Sequence, residues 1–332
     1  MTQPKLLLLS PAFHGYWKAI QASLEVHGYE VRTHIYDAPG TLPERILNKL
    51  AHELPEKYRP ESFAAQATRK AIDAFNEFRP HIVLVIKGDM LSREWWDLLE
   101  TSGVRYGTWL YDEMRRMSYT EEDLHHLGSL ASYSPLDAQH LRERGFEVLD
   151  MPNAYDTHCP VVPMREDSIN FVGAKYPNRE ETLQALVAAG LPVRAYGRAW
   201  SRHPYDILRT KQFKDSGVPA GRDIDRSEAY GIMASSPATL NIHNNQDGFT
   251  MRTFEAPGVG ALQVIDRADV DRYYIPGEEV LVYESIDELI EICTRIFREP
   301  KWARQIREAG QKRTLAEHTF DQRVKILEQL WA

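Results

Sequence analysis

The sequence predicts an α/β protein made of two doubly wound, parallel-sheet domains in series, and three observations predict it. Short apolar runs alternate with amphipathic runs twice along the 332 residues, which is the pattern of βαβ units and parallel sheets. A stretch carrying Pro152, Pro160 and Pro163, with little periodicity, separates the two series as a linker would. The segment 238–263, ATLNIHNNQDGFTMRTFEAPGVGALQ, gathers polar side chains where a strand gives way to a helix. An open α/β sheet places its ligand at such a junction.

The first series opens with Lys5 to Leu9, a continuous apolar run of the kind buried on both faces of a sheet. Its loop (Ser10 to Gly15) leads to a helix over Tyr16 to Val26 and a strand over Glu30 to Ile35. The unit lacks a GxGxxG fingerprint, so nothing marks it as a dinucleotide site. Residues 37–60 are rich in Pro and charge and read as an excursion from the sheet. Phe63, Ala67, Ala71, Phe75 and Phe78 fall at helical spacing within 62–78. Further strands are expected over Ile82 to Ile86, Val104 to Leu110, Leu130 to Tyr133 and Glu147 to Leu149, with helices after Ser92 and over Leu136 to Arg144. The strand ends carry Ser10, His14, Lys87, Asp89, Asp112, Glu113, Ser134 and Asn153. Most such residues serve as turns or caps; His14 and Asp112 are the two nominated for chemistry.

The second series predicts strands over Ile169 to Val172, Val193 to Tyr196, Thr239 to His243, Ala261 to Ile265 and Val280 to Tyr283. Helices are expected over Arg179 to Ala189, Ser227 to Ala234, from near Arg252, and over Ile286 to Phe297, Lys301 to His318 and Asp321 to Leu330. Residues 201–226 read as irregular. The expected partition is a first domain over 1–155, a linker over 156–167, a second domain over 168–315 and a closing helix over 316–332.

Composition narrows the partners. A net charge of −8 argues against nucleic acid or an anionic membrane as the main partner. Cys159 and Cys293 lie far apart with no metal spacing and read as unpaired thiols of a reducing compartment. The apolar run Leu6 to Leu9 is too short for a signal-peptide core or a membrane span. These features predict a cytoplasmic location and no transmembrane segment.

Within 238–263, free N–H groups at a helix start favour an anion. Arg252 offers a planar fork to a phosphate, and Glu255, one turn on, offers acceptors to two hydroxyls of a sugar or ribose. Asn241 and His243 lie where a strand delivers side chains to a nucleotide or sugar. The ordinary alternative for His243 is a buried, satisfied core histidine, and for Arg179 a solvated first-turn residue.

Several motifs of the second half together carry a resemblance: Phe171-Val172-Gly173, Arg179, Tyr196-Gly197 with Trp200, Leu240-Asn241-Ile242-His243, Arg252-Thr253-Phe254-Glu255-Ala256 and Gly260-Ala261. Asp287-Glu288-Leu289, Gly310, His318-Thr319 and Arg323 complete them. Over roughly residues 168–330 the chain resembles the CgeB-like, spore-maturation type glycosyltransferases of the GT-B fold, related to the group-1 superfamily. The resemblance implies two Rossmann-like domains facing across a cleft, the first for the acceptor and the second for the donor, with the final helix crossing back to the first. It implies a nucleotide-sugar donor, a UDP-sugar among the candidates, and neither cofactor nor obligatory metal. The donor-binding residues would be Gly173, Lys175, Arg179, Gly197, Asn241, His243, Arg252, Thr253 and Glu255, with Glu255 on the ribose and Lys175 and Arg179 at the diphosphate. Pro257 departs from the family pattern and is expected to shorten or kink its helix.

Catalysis of such a transfer requires the leaving diphosphate to be met by Arg252, Arg179, Lys175 and a helix N-terminus. A base is required if the anomeric configuration inverts, and Asp112 and His14 are the candidates. Retention would need none. The acceptor is unknown to the sequence. The other readings are a nucleotide-sugar epimerase of the same fold and a non-catalytic nucleotide-sugar binding protein.

Overall fold

The computed structural model describes residues 3–38 and 63–332; the predicted excursion over 37–60 falls almost wholly outside them. The described chain forms two compact units. Unit 1 comprises Met1–Pro152 with Phe320–Ala332, and unit 2 comprises Asn153–Thr319.

Unit 1 is built on a six-stranded parallel sheet of β1 (Lys5–Ser10), β2 (Glu30–Ile35), β3 (Ile82–Ile86), β4 (Arg105–Leu110), β5 (Ser129–Ser132) and β6 (Val148–Asp150), in the order β2-β1-β3-β4-β5-β6. Leu6 to Leu9 and Ile82 to Ile86 are buried throughout, as expected of central strands covered on both faces. The helices are α1 (Trp17–Val26), α2 (Phe63–Phe78), α3 (Arg93–Ser102), α4 (Glu121–Leu124) and α5 (Pro135–Glu143). Ala67 and Ala71 of α2, Trp95, Trp96 and Leu99 of α3, and Val83 and Val85 belong to one core. Ser92 stands at the N-cap of α3 without making a side-chain cap bond; its backbone N–H instead donates to Thr68 Oγ1 at 2.8 Å.

The last helix of unit 1, α12 (Phe320–Leu327), packs against α1. Val324, Leu327 and Leu330 are buried on it as the sequence stripe predicts. Trp331 then inserts: its Nε1 donates to Tyr29 Oη at 3.1 Å, and its carbonyl accepts from Arg105 Nη1 at 2.9 Å.

Unit 2 holds a second six-stranded parallel sheet: β7 (Ile169–Val172), β8 (Val193–Tyr196), β9 (Ala220–Gly221), β10 (Thr239–Asn241), β11 (Gln263–Ile265) and β12 (Leu281–Val282), in the order β12-β11-β10-β7-β8-β9. Its helices are α6 (Pro177–Ala188), α7 (Pro204–Thr210), α8 (Arg226–Ser235), α9 (Arg252–Gly258), α10 (Ile286–Arg298) and α11 (Pro300–Glu317). The segment expected to be irregular, 201–226, contains α7 and the edge strand β9. Pro204 at the helix start and the buried Asp206, accepting from Ser201 Oγ at 2.8 Å and Arg222 Nε at 2.9 Å, order it. That fixing is tertiary, so the local pattern carried no sign of it. As expected from Pro257, α9 is short, closing one residue after it.

Helix α11 lies close on the backbone at Glu279 because Gly310 carries no side chain there. A Cβ on Gly310 would stand 2.3 Å from the Glu279 carbonyl oxygen and 3.6 Å from Pro257. The obstacle is backbone, which cannot rotate aside. Gly310→Ala is therefore expected to cost about 2 kcal/mol and to lower Tm by several degrees in a calorimetric scan. An unchanged Tm would mean that the contact relaxes at no cost.

Candidate functional site

In both sheets the chain order reverses at one point. The reversal lies between β1 and β3 in unit 1 and between β7 and β10 in unit 2. Ligands of open α/β sheets bind outside the strand C-termini at this switch; Lys175, Arg179 and His243 lie in or beside the loops that follow its strands in unit 2, while Gly197 follows β8 and Asp112 follows β4.

In unit 2, the loops after β7 and β10 are stitched together across the switch. Arg179, in the first turn of α6, is buried, and its Nε donates to the Ile242 carbonyl at 2.8 Å and its Nη1 to the Ala174 carbonyl at 3.0 Å. Its guanidinium lies over the rings of Phe171 and Tyr176, 5.3 and 4.9 Å from their centroids. Desolvation by this burial pulls the Arg179 pKa down. Asn178 Nδ2 adds a bond to the His243 carbonyl at 2.7 Å. Arg179 is thus neither solvated nor solely a ligand group; it fixes the two loops. Lys175 pairs with Glu180 at 2.8 Å and stands 5.5 Å from the Trp200 ring centroid.

Gly173 and Gly197 let the loops after β7 and β8 approach. Gly197 has φ +149°, and a Cβ there would meet the Gly173 carbonyl oxygen at 2.7 Å. That carbonyl accepts from Trp200 Nε1 at 3.0 Å.

Asn241, at the end of β10, donates through Nδ2 to Thr253 Oγ1 at 2.9 Å and Gln263 Oε1 at 3.1 Å. Gln263 Nε2 in turn donates to the Thr253 carbonyl at 3.2 Å. All three residues are buried, so this network locks β10, β11 and α9 to one another.

His243 follows. Asp266, the first residue after β11, accepts from the His243 backbone N at 2.8 Å and from its Nδ1 at 2.8 Å. The other ring nitrogen, Nε2, is buried with no hydrogen-bond partner among the described residues. The next loop is held by Arg267, which donates to the carbonyls of Gln246 and Asp247, both at 2.9 Å, and lies 4.4 Å from the Phe249 ring centroid.

On α9, Glu255 is fully buried. Its Oε1 accepts from Tyr230 Oη at 3.1 Å, and its Oε2 is ion-paired with Arg252 Nη1 at 2.8 Å. One expectation is corrected here. The first-turn N–H groups of Thr253, Phe254 and Glu255 are already bonded to the carbonyls of Thr250 and Met251, at 3.0, 3.0 and 2.9 Å. They are not open donors, because the chain enters the helix through a tight turn whose carbonyls accept them.

In unit 1, Lys87 and Asp112 meet at 3.1 Å, with Asp89 3.9 Å from the same ammonium. Lys87 holds the left-handed conformation at φ +64°, strained for a residue with a Cβ. Asp112 also accepts from the Glu113 N–H at 3.0 Å. Glu113 is buried, taking Tyr133 Oη at 3.2 Å and Arg115 Nε at 2.6 Å. Burial, then the Glu113 and Asp112 carboxylates, push the Tyr133 phenol pKa up. His14 stands apart on an exposed turn at φ +46°, its ring edge-on to Phe13 with centroids 5.1 Å apart. Asn153, read from sequence as a strand-end group of the first half, belongs to unit 2, donating to the Phe249 carbonyl at 2.8 Å.

Sequence reasoning missed Asp266, Gln263 and Tyr230. Asp266 had a readable signal, a carboxylate directly after an apolar strand, the same mark that nominated Asp112. Tyr230 had none, since its partner Glu255 is 25 residues away.

With this geometry in view, the comparisons with known proteins are informative. Residues 179–329 match the family described as glycosyl transferase-like. The chain is 19% identical over 265 residues to the spore protein CgeB of Bacillus subtilis strain 168, covering 74% of this chain and 81% of that protein. Among solved structures it is similar to the sucrose-phosphate synthase tll1590 of Thermosynechococcus elongatus, with TM-score 0.65 and 14% identity over 99% of this chain and 98% of that one. It is similar also to Anabaena Alr3699/HepE in complex with UDP-glucose, with TM-score 0.63 and 12% identity over 98% of each chain. The two doubly wound units share the fold of these solved structures, and residues 179–329 of the second match the glycosyl transferase-like family. Among the described residues no helix is long and apolar enough to cross a membrane.

Because Glu255 is closed off and paired, its removal acts on the fold as well as on any ligand. Glu255→Ala removes the carboxylate that both Arg252 and Tyr230 bond and is expected to cost about 3 kcal/mol. Glu255→Gln keeps the shape and one acceptor and is expected to cost about 1 kcal/mol. Chemical denaturation of the two variants checks the order; equal losses would contradict the pairing.

Proposed function

We propose that the protein transfers a sugar from a nucleotide-sugar donor to the hydroxyl of an acceptor, the donor bound by unit 2. The observation that carries this reading is the stitched switch point between β7 and β10, with Glu255 and Arg252 on the helix that follows β10. The glycosyl transferase-like match over 179–329 supports it, since it spans those residues. UDP-sugars are the first donors to test because the similar Anabaena structure was solved with UDP-glucose.

In this reading Glu255 takes the ribose hydroxyls. Its carboxylate is inaccessible in the present conformation, so a neighbouring side chain must move to admit the ribose. Arg252, paired with it and partly exposed, makes that move. The ammonium or guanidinium groups of Arg252, Lys175 and Arg179 then balance the diphosphate charge as the glycosidic bond breaks. Gly173 and Gly197 permit close approach of the loops, and Asn241 and Thr253 hold α9 to its strand. A base is required if the configuration inverts, and Asp112 is the stronger candidate over His14. It is held by Lys87 at 3.1 Å, whereas His14 lies on an exposed turn. Independence from metal, the hexosyl nature of the sugar, cytoplasmic location and the partition into an acceptor half (1–155), a linker (156–167), a donor half (168–315) and a closing helix (316–332) belong to the same proposal.

A thermal-shift screen against UDP-, GDP-, ADP-, CMP- and dTDP-sugars tests it, with Glu255→Gln in parallel. One nucleotide class is expected to raise Tm, by mass action worth about 2.7 kcal/mol at about 100 Kd, with the shift reduced in Glu255→Gln. Nucleotide release from the selected donor is expected to persist in EDTA and to fall at least tenfold in Asp112→Asn if the configuration inverts. No shift with any of the five classes would overturn the donor reading. Rearranged donor sugar, formed with no acceptor present, would identify an epimerase instead.

A further inference from the structure

Resting on that donor reading, we infer that His243 and Asp266 form a dyad whose Nε2–H receives the distal phosphate of the nucleoside diphosphate, with Asp266 as its positioning residue. The dyad's geometry determines which ring nitrogen faces what. The Asp266 carboxylate accepts from the His243 backbone N–H at 2.8 and 3.1 Å and from Nδ1 at 2.8 Å. A carboxylate oxygen accepts, so Nδ1 carries a hydrogen, and the ring is fixed in orientation by two bonds from one side chain. That leaves Nε2 for a second partner. It is buried, it bonds to nothing among the described residues, and His243 is only 3% exposed. Buried polar atoms in native proteins almost always have partners, so a lone one points to a group that arrives later.

The position says what that group is. His243 is the second residue after β10, on one side of the switch point, and Asn178 and Arg179 bind its carbonyl and that of Ile242 from the other side. Asp266 also exerts its charge on Arg179 and Arg267. Donation from Nε2 requires a hydrogen on both ring nitrogens, and the Asp266 carboxylate stands on the Nδ1 side of the ring, where it would balance the charge that the second hydrogen brings. Such a donor, in loops that are bonded by Arg179 and Arg267, matches an anion better than a neutral sugar hydroxyl. Glu255, an acceptor, suits the ribose; His243, a donor, suits the phosphate.

In the transfer, the bond that breaks joins the anomeric carbon to an oxygen of the distal phosphate. Its electron pair stays on that oxygen, where the Nε2–H bond strengthens as charge develops. The bond that forms joins the anomeric carbon to the acceptor hydroxyl oxygen, whose proton goes to a base such as Asp112. The Asp266 carboxylate keeps the imidazole aimed without itself touching the donor.

The test separates phosphate contact from general damage by using paired ligands. From UDP, GDP, ADP, CDP and dTDP, the diphosphate that binds the native protein most tightly by calorimetry is chosen, together with its monophosphate. His243→Asn keeps an amide that can bond Asp266 and deletes Nε2. It is expected to weaken the diphosphate roughly tenfold or more while changing the monophosphate by less than about twofold. His243→Gln, whose amide reaches toward the Nε2 position, is expected to recover part of the loss. Asp266→Asn is expected to reproduce the same selective loss with the secondary structure intact by circular dichroism. Equal losses for both ligands in His243→Asn, or no loss for either, would overturn the phosphate assignment while leaving the donor site standing. Selective loss in His243→Asn with none in Asp266→Asn would overturn the positioning role alone. If none of the five diphosphates binds the native protein, the donor reading falls and this inference with it.

Discussion

The geometry of unit 2 depends on one buried cation. The Arg179 guanidinium is taken out of water at the switch point, and two carbonyls and two aromatic faces replace what it loses. Guanidinium is the cation best suited to this, being weakly hydrated, planar and able to stack. Its bonds fix the loop after β7 against the end of β10, and from that tie the rest follows. His243 is held beside it by Asn178, Asp266 fixes the ring, and the Asn241–Thr253–Gln263 network carries the register on to α9 and β11. A lysine could supply the charge but neither the fork nor the stack.

The same economy explains why the polar groups of this edge contact each other so completely. Lys175, Arg179, Arg252 and Glu255 were each nominated as open ligand groups, and each has a protein partner. A site of like-charged groups without partners would be costly to fold. Pairing Arg252 with Glu255 gives the buried carboxylate a partner, and under the proposed function a diphosphate with its ribose would replace that pairing by equivalent contacts. On that proposal the recognition energy would come from exchange of partners rather than from satisfying empty ones. Nε2 of His243 is the exception, which is why it is informative.

Much of the fold was legible. Strand Ile82–Ile86 lies where its apolar run puts it, because a strand buried on both faces is apolar throughout; Glu30–Ile35, Ile169–Val172 and Val193–Tyr196 also lie where the alternation with helices puts them. Parallel pairing followed from alternation with helices. Short peripheral elements were not legible: α4, α7 and β9 are ordered by capping and by tertiary bonds such as that of Asp206 to Arg222. At the site, residue types and strand ends were legible, but partners were not. The chain places Asp266 23 residues after His243 and Tyr230 25 before Glu255, and nothing local joins them. The anion-binding helix start was misread for a related reason, since whether an N–H is open depends on the turn before it, which composition does not report.

Unit 1 is assembled from two distant pieces of chain. Residues 1–152 lack the partner for α1 until 320–332 exist, and Gly107 leaves the space that Leu330 fills, since a Cβ there would sit 2.7 Å from Leu330 Cβ. On the ribosome the first sheet therefore emerges with one helix face bare, while the whole of unit 2 is synthesised and able to fold behind it. Completion of the first unit waits on residues 320–332, so a chain that stalls or is cut short before residue 320 carries a finished second unit joined to an unfinished first one. Such a product would expose the apolar face of α1 and the edge around Gly107, the kind of surface that quality control removes.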